Sequence, residues 1–110
     1  MINPVALDEL RAALAPGGFS EDPAVLQPRL IDHRQRYHGA SPFLAQPATR
    51  EQVAAMVAVC AAHRIGIVPQ GGNTSYCGGA TPDASGRQVL LSLHRLRRIR
   101  AVDASGFNLT

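Results

Sequence analysis

The chain contains no lysine: all 11 of its basic residues are arginine. That excludes the phosphate loop of nucleotide triphosphatases, which requires Gly-Lys-Ser/Thr. Tryptophan is also absent, and Phe and Tyr together number five, so the core must be built from small aliphatics and alanine. There are two cysteines, Cys60 and Cys77. They fit a reduced compartment and form no disulfide framework. The four histidines, His33, His38, His63 and His94, follow no metal-ligand spacing, so no metal site is expected. No Ser, His and Asp set points to a hydrolase, because Ser75 is followed by Tyr76 and not by the glycine of a nucleophile elbow. No apolar run is long enough to span a membrane. Met1-Ile2-Asn3-Pro4 lacks a basic start and is soon followed by Asp8 and Glu9, against a targeting leader. A cytoplasmic location is the expectation.

Glycine, in contrast, is concentrated. Gly71-Gly72-Asn73-Thr74-Ser75-Tyr76-Cys77-Gly78-Gly79 follows the apolar stretch Ile65-Gly66-Ile67-Val68-Pro69. Glycine gives up more backbone freedom on folding than any other residue, so four in nine positions need a reason. Bare backbone that must approach an anion supplies one, since successive N–H groups then face the ligand unobstructed. The dinucleotide fingerprint G-x-G-x-x-G does not fit. Begun at Gly71 it needs glycine at Asn73 and Tyr76, and begun at Gly72 it needs glycine at Thr74 and Cys77. A plain glycine-rich hairpin stands as the alternative.

The remaining pattern is α+β. Asn3-Pro4 starts a helix whose Leu7, Leu10 and Leu14 share a face, and Pro16-Gly17-Gly18 ends it. Asp22-Pro23 begins a short helix through Leu26, stopped by Pro28. Residues 29–41 are polar and irregular and carry no assigned chemistry. Phe43-Leu44-Ala45 reads as a strand. Thr49 to Gln52 forms a capping box, and Val53, Met56, Val57, Cys60 and Ala61 mark the inner face of the helix that follows. Ile65 to Val68 is expected as a buried strand, giving β-α-β with the glycine loop at the carboxyl end of a strand. Val89–Leu93 and Ile99–Val102 are further strands, and Asn108-Leu109-Thr110 begins another. The net charge of +3 comes mostly from His94 to Arg100, expected to be a solvated turn with Leu96 and Ile99 inward. It lacks the aromatic interleaving of a nucleic-acid surface, so no nucleic-acid partner is expected. The expected division is a helical lead-in over 1–40 and an incomplete lobe over 41–110.

Pro69-Gln70-Gly71-Gly72-Asn73-Thr74, then Gly78-Gly79 and Pro82, resembles the flavin-pyrophosphate loop of the FAD-linked oxidases. These are the vanillyl-alcohol-oxidase, or PCMH-type, FAD-binding proteins. Pro47 to Val53 and the two segments after the loop are similar as well, and within the family the D-2-hydroxyacid dehydrogenases look most alike. The resemblance implies the first lobe of a PCMH-type FAD-binding domain. Pro69, Gln70, Gly71, Gly72, Asn73, Thr74, Ser75, Gly78 and Gly79 would then be cofactor-binding. Some members attach FAD through a histidine, where this chain has Asn73, so the implied FAD is non-covalent. Thr74-Ser75-Tyr76 and Cys77 depart from the 2-hydroxyglutarate branch, which carries Thr-Gly-Leu. The implied reaction is oxidation of a D-2-hydroxy acid to a 2-keto acid, with electrons passing to a separate acceptor. Later domains of the family supply the substrate and metal residues, so no catalytic residue is expected here and the chain alone is not expected to turn over. A sugar or alcohol oxidase, or a remnant that does not bind FAD, are the other readings.

Overall fold

The structure is a computed structural model and describes residues 2–74 and 78–110. Helix α1 spans Pro4–Leu14 and strand β1 Phe19–Ser20. Helix α2, Pro23–Leu26, runs into a 3-10 turn, Gln27–Arg29. Strand β2 is Leu44–Ala45, helix α3 Arg50–His63, strand β3 Gly66–Gln70 and strand β4 Gln88–Ser92. A hairpin of β5, Val102–Asp103, and β6, Asn108–Leu109, completes the chain.

The sheet order is β1-β2-β4-β3. Strands β2, β4 and β3 run parallel, and β1 is antiparallel to β2. Strand β4 therefore sits inside the β2-α3-β3 crossover, where both its faces are covered, and Val89, Leu90 and Leu91 are buried. Alternate residues serve opposite faces. Phe43, Ala45, Val89 and Leu91 pack with Leu10 and Leu14 of α1 and Met56 and Cys60 of α3. Leu44, Val68 and Leu90 pack with Leu26 and Leu30 on the other side. Each such fully buried large side chain contributes about 1.5–3 kcal/mol. The segment around α2 thus covers one sheet face, which brings Arg29 to the carboxyl end of β3 and β4.

Local signals explain the termini. Asn3 Oδ1 accepts from Val5 N at 2.9 Å, with Pro4 at the first helical position. Thr49 Oγ1 accepts from Gln52 N at 3.1 Å. Gln52 Oε1 reaches back one residue further than a simple capping box requires, to Ala48 N at 2.8 Å. Thr49→Ala should cost about 1 kcal/mol, read as a shift in the urea midpoint at constant slope. An unchanged midpoint would show that the cap carries nothing. Arg64 closes α3 in the left-handed region, φ 55.

Several expectations are corrected. Helix α2 ends at Leu26 as expected, but the path continues in a 3-10 segment whose first turn Pro28 enters, where a missing N–H costs nothing. Strand β1 carries little sequence signal, being two residues long and held by pairing with β2 and by stacking of Phe19 on Phe43, with ring centroids 5.4 Å apart. In α3, Met56 and Cys60 are buried, whereas Val57 and Ala61 face out. Alanines make that helix apolar on nearly every side, so packing against α1 selects the face. Strand β3 is an edge strand in which only Val68 and Gln70 are buried, and an edge tolerates Pro69, which has no N–H to offer. Leu96 and Ile99 are exposed, 38% and 62%, and the strand after them is only Val102–Asp103. Arg95, also exposed, ties this turn to the sheet edge, its Nη1 donating to Gln46 O at 3.0 Å and Gly17 O at 3.3 Å. Among the described residues no helix is long and apolar enough to cross a membrane.

Candidate functional site

Strand β3 leaves the sheet at Gln70 and passes directly into the glycine loop. Gln70 is 1% exposed, so its side chain belongs to the interior. Its Nε2 donates to Arg29 O at 2.9 Å and to Ala80 O at 3.0 Å. Arg29 Nη1 in turn donates to Gln70 Oε1 at 3.4 Å and to Ser92 Oγ at 3.2 Å. Register places Gln70 beside Ser92, and Ser92 Oγ lies 2.7 Å from His94 Nδ1. One carboxamide thus ties the start of the loop to its far end at Ala80 and to the turn at Arg29.

Above this base lies an open pocket of about 750 Å³. One wall is Gln70, Gly71, Gly72 and Asn73, and the other comes from Pro28, Arg29, Ile31, Asp32, His33 and Gln35. Gly71 and Gly72 are exposed and have no positive φ. A Cβ on either would meet nothing within 4 Å among the described residues. Neither backbone conformation nor packing among the described residues therefore requires glycine at these two positions. Among the described residues, no hydrogen bond uses the N–H groups of Gly71, Gly72, Asn73 or Thr74. A row of donors without side chains is what an anion requires.

Asn73 takes the left-handed turn, φ 56, a conformation asparagine accepts more readily than most residues. Its Nδ2 donates to Ile31 O at 2.8 Å. Its Oδ1 is buried and, among the described residues, has no donor. A buried acceptor left unpaired costs about 1–3 kcal/mol, so a ligand hydroxyl there would offset it.

Of the other expected residues, Pro69 is exposed in the edge strand, and Thr74 and Gly79 are exposed loop positions outside the pocket lining. Gly78 has φ +80, and its α-carbon faces the ring of Tyr37, whose nearest atom would lie 3.1 Å from an added Cβ. Ser75, Tyr76 and Cys77 fall outside the described residues.

The second wall went unread in the sequence. Asp32 is buried, 4% exposed. Its carboxylate accepts from Tyr37 N at 2.7 Å and Arg34 N at 3.1 Å. Burial pushes the Asp32 carboxyl up, but the N–H groups of Tyr37, Arg34, Arg36 and Asp32 itself outweigh this and hold it below the usual carboxylate range. The Asp32 carboxylate is therefore held ionised, with its oxygens engaged by the turn. An Asp followed within five residues by a tight reversal was the available signal, yet a polar stretch gives no cue that one of its carboxylates is buried.

The comparisons bear on the same loop. A family model described as an FAD binding domain matches residues 41–110. The mitochondrial D-2-hydroxyglutarate dehydrogenase of Bos taurus is 36% identical over 105 residues, which is 93% of this chain and 19% of that protein. Among solved structures, an alkyldihydroxyacetonephosphate synthase superposes with TM-score 0.81 at 20% identity, covering 96% of this chain and 21% of the other. A p-cresol methylhydroxylase superposes with TM-score 0.74 at 26% identity, covering 93% and 21%. The chain thus spans about a fifth of the length of these relatives. The two solved structures share this fold, with its sheet of parallel and antiparallel strands.

Proposed function

The chain belongs to the FAD binding domain family, and on that premise we propose that its glycine loop holds the FAD pyrophosphate in an enzyme oxidising a D-2-hydroxy acid to the 2-keto acid. The observation that carries the cofactor assignment is the pair Gly71 and Gly72, where side chains are missing although nothing among the described residues excludes them. The substrate class is drawn from the Bos taurus relative, named as a D-2-hydroxyglutarate dehydrogenase.

The residues divide the work. The N–H groups of Gly71, Gly72, Asn73 and Thr74 donate to phosphate oxygens, and the hydroxyls of Thr74 and Ser75 add donors. Asn73 Oδ1 accepts from a sugar or ribityl hydroxyl, since an ionised phosphate has no proton to give. Gln70 acts from beneath, with Pro69 stiffening the exit of β3. Gly78 and Gly79 let the loop pass close under the cofactor. Asn73 carries no nucleophile that could bond to the flavin ring, and its Nδ2 is engaged with Ile31 O, which supports non-covalent binding. Bound FAD supplies the acceptor for the hydride that leaves the substrate α-carbon. A separate acceptor then takes the electrons. No residue of this chain is assigned as catalytic acid or base.

Calorimetric titration of the flavin-stripped whole gene product with FAD tests the cofactor, and anaerobic bleaching tests the substrate. Saturable binding is expected, followed by bleaching with D-2-hydroxyglutarate or D-lactate. Arg97→Ala, on an exposed turn, should titrate like wild type. Absence of binding heat would end the cofactor assignment, and bleaching only by sugars or simple alcohols would move the enzyme to another branch.

A further inference from the structure

Residues 31–40 touch the glycine loop and the segment that follows it at four places. Ile31 O accepts from Asn73 Nδ2 at 2.8 Å. The Tyr37 ring lies against Gly78, 3.1 Å from where a Cβ would be. Gly39 sits so close to the Pro82 carbonyl that any Cβ would overlap it. Ala40 N donates to Asp83 O at 2.9 Å. These contacts span both shoulders of the loop, before and after its tip.

The turn that makes these contacts is organised around one carboxylate. Asp32 accepts from Tyr37 N and Arg34 N, its own N–H donates to Tyr37 O at 3.3 Å, and its carbonyl receives Gln35 N at 3.0 Å. An isolated bridge pairs Ile31 with His38, and Gly39 N closes on Leu30 O at 2.8 Å. The buried Asp32 therefore fixes the separation between Ile31, which grips Asn73, and Tyr37, which bears on Gly78.

We propose that the Asp32-centred turn is a clamp that holds the glycine loop in its cofactor-ready shape, with Asp32 and Tyr37 as positioning residues for the FAD pyrophosphate. This rests on the pyrophosphate assignment given above. A loop of glycines is entropically costly to order, and whatever orders it before binding removes that cost from the binding step. An acid in the wall of an anion pocket would ordinarily repel its ligand. Here its oxygens are engaged by turn N–H groups, whose dipoles offset part of its field, so it orders the wall at reduced electrostatic cost.

The test uses the whole gene product, with FAD affinity measured by titration and the apo fold followed by circular dichroism and melting. Asp32→Asn keeps one acceptor oxygen and loses the charge, while Tyr37→Ala removes a ring that is 44% exposed and so outside the core. Each should weaken FAD about tenfold, the scale of one charged hydrogen bond, at temperatures where the apoprotein remains folded. Asn73→Ala should weaken FAD similarly, and combining it with Asp32→Asn should fall short of the sum of the two, because both act in part through the grip of Ile31, while Asp32 also sets Tyr37 against Gly78. If Asp32→Asn fails to fold, Tyr37→Ala decides alone. Wild-type affinity in the variants that fold, or full additivity in the double variant, overturns the clamp while leaving the pyrophosphate assignment intact. Retention of FAD by Gly72→Val would overturn both.

Discussion

Gly72→Val yields a folded but colourless protein. A Cβ at Gly72 meets nothing within 4 Å among the described residues, and Gly72 has no positive φ for a branched residue to resist. The apoprotein should therefore keep its stability to within about 0.5 kcal/mol, as surface substitutions do. Positive φ is not the reason for glycine here. In the structure that conformation falls instead to Asn73 and Gly78, φ 56 and φ 80. Without a conformational penalty the substitution acts only on what occupies the pocket. An isopropyl group in front of the Gly71–Thr74 donors would keep phosphate from at least two of them. Each such charged hydrogen bond is worth about 1.5–3 kcal/mol, so affinity should fall on the order of a hundredfold or more. Flavin content after purification and apo melting temperature are the two readouts. Wild-type flavin content would remove the pyrophosphate from this loop.

The parts of the fold that sequence made visible are those set by short-range chemistry. Asn3-Pro4, Thr49 and the run Val89–Leu91 declare their roles through capping groups and unbroken apolar character. The glycine loop was equally visible, because its composition has no cheaper explanation. What was hidden depends on distant partners. Strand β1 exists only because Phe19 pairs with Ala45 and stacks on Phe43. The face of α3 is chosen by α1, since alanine leaves the helix no strong preference. Asp32 is the sharpest case. In sequence it is one charge in a polar segment with His33, Arg34 and Arg36, and its burial follows from the four contacts its turn makes with the glycine loop and beyond. Half of the candidate site was thus unreadable until the chain was folded back on itself.

Gln70→Leu should damage both stability and cofactor affinity. Gln70 was expected to reach the cofactor, and the structure shows both of its amide hydrogens directed inward, to Arg29 O and Ala80 O. Leucine fills much the same volume and donates nothing. Two partly buried carbonyls would then lose their donors, at about 1–3 kcal/mol each, so a loss on the order of 3 kcal/mol is expected in urea unfolding. The second effect is on the loop, whose two ends are joined by this one side chain. With Ala80 released, the Gly71–Thr74 donors are no longer held against Arg29 and its turn, and FAD binding weakens. Gln70→Glu separates donors from shape. The introduced carboxylate keeps an acceptor for Arg29 but, while ionised, has no hydrogen for either carbonyl. It should therefore fail as the leucine variant does, although its outline is nearly that of glutamine. If Gln70→Glu kept wild-type stability and FAD affinity, the two carbonyls would be finding donors elsewhere, and the loop would be shaped by the turn around Asp32 without help from β3.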